Sequence, residues 1–355
     1  MLNLFAKRKR LDRVYLHIGF HKTGTSHIQQ TLFRNTALLE KEGVSVICRD
    51  SYEREMDQGN AAYLLRLFER FHKKLKKSLP IAVISSEDMS WWQKEKVKEL
   101  GEIIKQYTSR VKIIAYLRNH DEYAISMKQQ GAKTLHIGKV YGHSEAVLPE
   151  LTPEVLKRNA YSNSLQNWAE IFGKENISIT TFDYLKTSGY DLVKDFFMEI
   201  DLPGFRFQEI PRQNESLDYY WQLFLHRHQS LWWANKTVRN AMLPEMIVLG
   251  NTGNKKSVSF QDRMNFREYF NEDIETLMSY PSSKIIFNKT IAEDRDFIFD
   301  ETKYERVKQE FLSLQTKVTL SLFNDKNISK SEVEYIASEM SKVDKESAVN
   351  LLSLL

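Results

Sequence analysis

The stretch Val14–Ser26, V-Y-L-H-I-G-F-H-K-T-G-T-S, most constrains what this chain can fold into. Val14, Tyr15, Leu16 and Ile18 read as a short buried strand. Gly19 and Gly24 punctuate a tight loop, and Thr25 and Ser26 open a helix through Ile28, Leu32 and Phe33. A strand that passes through a glycine loop into a helix N-terminus gathers backbone N–H donors and the positive end of the helix dipole at one spot, a cradle for an anion. Gly19 and Gly24 have the spacing of the nucleotide-binding loop G-x-x-x-x-G-K-[ST], but position 25 is Thr where a triphosphatase needs Lys. The lysine is Lys22, inside the loop. That placement suits a single 5′-phosphate and its bridging oxygen better than a β/γ-phosphate pair with Mg²⁺.

The rest of the chain repeats the theme of strand followed by helix. Helical periodicity runs from Thr25 to Leu39, and Gly43 ends that segment before a short strand, Val44–Ile47. Residues 49–60 read as a polar loop, and Ala61–Leu79 as a helix with Leu64, Leu67, Phe68, Phe71 and Leu75 on one side. A second buried strand, Ile81–Ser85, runs into Ser86-Glu87-Asp88 and then Trp91-Trp92; a helix covers Glu95–Tyr107. A third apolar strand, Val111–Leu117, ends in Arg118-Asn119, with Asp121 expected to cap the next helix. Polar residues at three strand ends are notable because ligands of parallel sheets bind at the strands' carboxyl edge.

Residues 131–160 form a long connection with weak periodicity and at most one short helix. A helix over Tyr161–Phe172, a strand over Ile177–Phe182 and a helix over Tyr190–Ile200 follow. Further helices are predicted from Arg212-Gln213-Asn214-Glu215-Ser216 through Leu225 and over Phe260–Met278, with a polar loop at Gly250–Lys256 and irregular chain at 281–300. Two closing helices carry narrow apolar stripes, one on Tyr304, Val307, Phe311, Leu314 and Val318, the other on Val333, Ile336, Met340 and Val343. Such stripes suit helix pairing, within the chain or between copies.

The loop H-I-G-F-H-K-T-G-T-S resembles that of the sulfotransferases that use 3′-phosphoadenosine 5′-phosphosulfate (PAPS), and more narrowly their bacterial carbohydrate-type branch. The stretch Y-x-x-x-L-x-x-W-x-x-x-F-G from Tyr161 to Gly173, followed by a strand, resembles the same branch. The resemblance covers roughly residues 13–280. It implies a three-layer α/β sandwich with a central parallel sheet, of the P-loop nucleotide-triphosphatase-like kind. It further implies transfer of a sulfuryl group from PAPS, without a required metal, to a hydroxyl of a glycan, capsular polysaccharide or glycolipid.

Residue by residue, the resemblance puts the donor's 5′-phosphate on Thr23, Gly24, Thr25 and Ser26, with Lys22 at the leaving oxygen. Arg118 and Ser126 match the family's second signature, which holds the 3′-phosphate; His120 stands where the family often has Pro. Lys255 and Lys256 are the nearest match in order to a late phosphate contact, although the usual Arg-Lys-Gly triplet is absent. Glu87 is the expected base, with His21 as the second candidate; Glu87 also reads as a helix-capping carboxylate. Trp91 and Trp92 read either as stacking surfaces for sugar or adenine or as wall and core. His136 and His143, in the long connection, read as acceptor contacts or as exposed loop histidines.

Composition bounds the rest. A chain of 355 residues with seven prolines and thirteen glycines holds one large α/β domain with an appendage, or two domains. The expected organisation is a basic tail at 1–12, the sulfotransferase-like domain at 13–280 and a helical extension at 281–355. Lys7, Arg8, Lys9, Arg10 and Arg13 against Asp12 hold the whole net charge of +4, so the remaining chain is balanced and a nucleic-acid partner is not expected. The tail is placed to touch anionic lipid headgroups or to stay solvated. The single Cys48 excludes an internal disulfide, and no secretory signal or membrane-spanning apolar run is seen, so a soluble cytoplasmic protein is expected. Two rivals stay open: a P-loop kinase or ATPase, and a catalytically inactive relative whose paired C-terminal helices serve binding or homo-oligomer assembly.

Overall fold

The computed structural model describes residues 11–47, 68–134, 140–211, 217–250, 258–287 and 299–355. Cys48, Lys7–Arg10, His136, residues 212–216, Lys255 and Lys256 lie outside the described residues. The chain divides into two compact units, neither contiguous in sequence. The first comprises Met1–Tyr123, Leu156–Gln213 and Met264–Ile291, and the second Ala124–Val155, Asn214–Arg263 and Ala292–Leu355.

The first unit is an α/β layer structure on a six-stranded sheet. Its strands are β1 (Arg13–His17), β2 (Val44–Ile47), β3 (Ile81–Ser85), β4 (Val111–Leu117), β5 (Ile177–Thr181) and β6 (Ser282–Lys284), in the order β2-β3-β1-β4-β5-β6. Every pairing is parallel, with Leu16 beside Ile84 on one flank and beside Ile113 on the other. Helices cover both faces of such a sheet, so its central strands read as almost unbroken apolar runs; β4 is buried at every position except Lys112. One covered face packs Tyr15, Ile28, Leu32, Val83, Ile114 and Phe196 into a continuous core. Elsewhere in the unit the Lys94–Lys105 helix packs on the Tyr161–Phe172 helix, and Trp168 stacks on Trp92 at 6.3 Å. The chain leaves β1 towards one edge of the sheet and β4 towards the other, so the carboxyl ends of β3, β1 and β4 border the point where strand order reverses.

Several local expectations are corrected. The helix expected over Thr25–Leu39 is two helices, Thr25–Arg34 and Thr36–Lys41. Buried Asn35 separates them, with its amide donating to the carbonyls of Thr31 and Gln208 and accepting from the Gln208 N–H. Asp121 is not a cap. It lies inside the His120–Thr134 helix, fully buried, with both carboxylate oxygens taken by Arg267 at 2.6 and 3.2 Å. The helix expected over 260–278 is broken at Phe270. β6 falls where irregular chain is expected. Its Ser-Ser-Lys sequence has no apolar pattern, and Lys284 anchors it by reaching Asp195 at 2.9 Å and Glu199 at 2.5 Å.

The second unit is helical among the described residues. The Glu301–Asn324 helix packs against Tyr219–Arg227, Lys236–Leu249 and the closing helices Lys330–Ser341 and Lys345–Ser353. Tyr304, Val307, Phe311, Leu314 and Val318 are buried within this unit, so the first apolar stripe finds partners in the same chain. The Lys236–Leu249 and Lys345–Ser353 helices have no counterpart in the sequence reading. Among the described residues no helix is long and apolar enough to cross a membrane.

Candidate functional site

The loop after β1 has the geometry its glycines suggest. Gly19 and Gly24 have φ of +49° and +75°, the left-handed region that a side chain opposes. A Cβ on Gly19 would lie 2.4 Å from Thr25 Cγ2, and one on Gly24 2.4 Å from Leu192 Cδ2. Lys22 is left-handed as well, at φ +63°, strain that a non-glycine residue carries when its surroundings over-determine it. Thr23 closes the turn from within. Its hydroxyl donates to the Phe20 carbonyl at 2.5 Å and accepts from the Phe20 N–H at 3.3 Å. Gly24 is the N-cap residue of the Thr25–Arg34 helix and offers no side-chain cap, so the first-turn N–H groups of Thr25 and Ser26 have no intrahelical acceptor. Thr25 is buried and Ser26 exposed.

Arg118, at the end of β4, stands at the same corner. Its backbone carbonyl accepts from the Tyr161 hydroxyl at 3.1 Å, and its guanidinium lies 4.8 Å over the Phe182 ring. Phe182 Cζ is also 3.5 Å from where a Gly24 Cβ would sit, so one aromatic ring touches both the loop glycine and the arginine. Arg118 Nε is buried with no hydrogen-bond partner, and burial pulls the guanidinium pKa below its ordinary value. A buried cationic donor left unpaired is costly in water-free surroundings. An anionic oxygen is the complement such an N–H calls for, and a phosphate oxygen fits these residues. Ser126 lies on the part of the His120–Thr134 helix that belongs to the second unit, half-buried.

The third strand end supplies the titratable groups. The Ser86 N–H bonds the His17 carbonyl at 3.0 Å, tying the end of β3 to that of β1. Glu87 then opens a short 3₁₀ turn, Glu87–Trp91, whose Ser90 hydroxyl donates to the Glu87 carbonyl at 2.7 Å. The Glu87 carboxylate accepts from Gln29 Nε2 at 2.7 Å through Oε2. Gly19 lies against the same residue, since its Cβ would fall 3.5 Å from Glu87 Cα and Cβ. His21 stacks on Trp91 with ring centroids 4.0 Å apart, and the Arg158 guanidinium lies 4.9 Å over that indole. Burial lowers the His21 pKa, the charges of Glu87 and Asp88 oppose that, and Arg158 and Lys22 reinforce it. His21 Nε2 is buried without a partner. Burial therefore disfavours the charged form of the imidazole.

The structure brings Lys22, the Thr25 helix start, Arg118, Glu87 and His21 to one edge of the sheet. Trp91 edges this cluster, 38% exposed, whereas Trp92 is buried against Trp168 with the Lys96 ammonium 4.0 Å over its ring. His143 is exposed in the second unit, its carbonyl near His226 Nε2 at 3.1 Å. His120 has a framework part: fully buried, stacked on Phe270 at 4.6 Å, with Nε2 2.8 Å from the Asp273 carboxylate. Gln29, Arg158 and Phe182 escape the sequence reading. Gln29 reads only as one more polar position on an amphipathic helix, and Arg158 and Phe182 reach the site from helices far along the chain. Among the described residues no group of three His, Cys, Asp or Glu could hold a metal ion.

No family model matches the chain, and no curated protein matches it. Among solved structures the chain is similar to a sulfotransferase from Alicyclobacillus acidocaldarius. The identity is 12%, the match spans 66% of this chain and 96% of that one, and the TM-score is 0.35. A likeness of that size leaves fold and chemistry to be read from this chain's own residues.

Proposed function

We propose that this chain is a sulfotransferase that moves a sulfuryl group from PAPS to a hydroxyl of a carbohydrate acceptor. One observation carries the reading: an uncapped helix start and an arginine with a buried, unpaired Nε flank the same Phe182 ring, a corner equipped for a doubly phosphorylated ligand. Thr25, where a triphosphate-binding loop has lysine, favours a single phosphate at the helix over a β/γ pair.

The donor supplies an activated sulfuryl group on a 5′-phosphate. The N–H groups at Thr25 and Ser26 would hold that phosphate, and Lys22 would neutralise charge building on the oxygen that sulfur leaves. Arg118 would hold the 3′-phosphate by a forked, charge-assisted contact. Glu87 would take the proton of the acceptor hydroxyl, with His21 as the alternative proton acceptor. Trp91 would border the acceptor.

Calorimetry with 3′-phosphoadenosine 5′-phosphate and with ATP tests the donor. The first should bind more tightly, and preference for ATP, or binding of neither, would sink the proposal. Incubation with labelled PAPS and a glycan panel tests the acceptor class; label moving only to peptide or to a lipid without sugar would replace the carbohydrate reading.

A further inference from the structure

Gln29 is buried, 1% exposed, on the helix whose first turn forms the anion cradle. A buried primary amide is expensive unless it is hydrogen-bonded, and this one donates to the Glu87 carboxylate at 2.7 Å. The bond joins two elements of different strands: the helix after β1 and the turn after β3. Glu87 and Asp88 act electrostatically on His21 of the loop after β1, as do Lys22 of that loop and Arg158 of the Pro153–Asn159 helix.

We propose that Gln29 is the positioning residue of the proposed base: it fixes the Glu87 carboxylate relative to the anion-holding helix. This rests on the sulfotransferase reading. In that transfer the acceptor oxygen bonds to sulfur as the bond from sulfur to the 5′-phosphate oxygen breaks. The electron pair stays on the phosphate, and the hydroxyl proton goes to Glu87. A donor held on Oε2 acts on this step by restraining the carboxylate's rotation.

The test uses Gln29→Met, which keeps the side chain's length and loses the donor. Carboxyl-carbon NMR of glutamate-labelled protein at fixed pH, with the Glu87 resonance identified by its loss in Glu87→Gln, reads the carboxylate without any acceptor. That resonance should shift and broaden in Gln29→Met as the carboxylate loses its donor and its rotational restraint. Hydrolysis of labelled PAPS, with water standing in for the acceptor, should fall at least tenfold in Gln29→Met, while 3′-phosphoadenosine 5′-phosphate binds within twofold of wild type. An unmoved Glu87 resonance in Gln29→Met, or full hydrolysis in Gln29→Met beside an inactive Glu87→Gln, overturns the role of Gln29 alone. Retained hydrolysis in Glu87→Gln overturns the base itself, and absent nucleotide binding by the wild type overturns the underlying reading.

Discussion

Gly24→Ala gives a perturbation whose cost can be worked from the coordinates. At φ +75° an L-residue loses about 1–2 kcal/mol against glycine. The new Cβ would stand 2.4 Å from Leu192 Cδ2, whereas carbon atoms in contact prefer about 3.5–4.0 Å. Leu192 cannot simply swing aside. It is buried at the first turn of the Leu192–Glu199 helix, which Asp191 caps by accepting from the N–H groups of Val193 and Lys194. Overpacking of that kind costs about 1–3 kcal/mol, for a total of about 2–5 kcal/mol. Urea unfolding should show a lower midpoint at unchanged slope. The decisive assay is a double-mutant cycle with Leu192→Ala, which removes the clashing methyl and by itself costs about 2–5 kcal/mol. In that background Gly24→Ala should cost only its backbone part, so the double mutant should be destabilised by about 1–3 kcal/mol less than the sum of the single mutants. Additivity within about 0.5 kcal/mol would refute the steric argument.

Other expectations concern ligand, chemistry and acid stability. Arg118→Ala should weaken 3′-phosphoadenosine 5′-phosphate binding by about 1.5–3 kcal/mol in calorimetry; unchanged affinity would remove Arg118 from the site. Glu87→Gln should bind that nucleotide normally and transfer no label from PAPS; retained transfer would move the base to His21. His17 is fully buried beside Ser85 Oγ at 2.8 Å, and burial lowers its pKa to about 3. The unfolded chain takes that proton near pH 6.5 and the folded chain only near 3, so this histidine removes stability as pH falls between those values. His17→Gln should therefore lose about 2 kcal/mol less than wild type between pH 7 and pH 5 in urea titrations; parallel curves would show that His17 titrates in the folded state like an exposed histidine.

Much of the sheet was legible because its signals are local. Val14–Ile18, Ile81–Ser85 and Val111–Leu117 are apolar runs bounded by polar or glycine residues, and a strand buried on both faces needs little else. The turn of the loop after β1 was legible for the same reason, since only glycine meets a left-handed backbone cheaply. Helix ends were less legible where the deciding partner is distant. Asn35 breaks a helix by bonding the backbone of Gln208, and Asp121 is claimed by Arg267 instead of its own helix start. β6 carries no strand signal at all, because its place at the sheet edge is held by the buried acids that meet Lys284.

By itself the sequence determined a glycine-punctuated strand–loop–helix turn, an α/β architecture and a short set of polar residues at strand ends. Each of these follows from neighbouring residues acting on one another. Only the tertiary structure decided which of those residues share a corner. Arg118 meets Gly24 through Phe182, Glu87 meets Gln29, and His21 meets Trp91 and Arg158. Those meetings depend on the register of three adjacent parallel strands, β3, β1 and β4, which are joined only through crossovers, and no spacing within the chain encodes them.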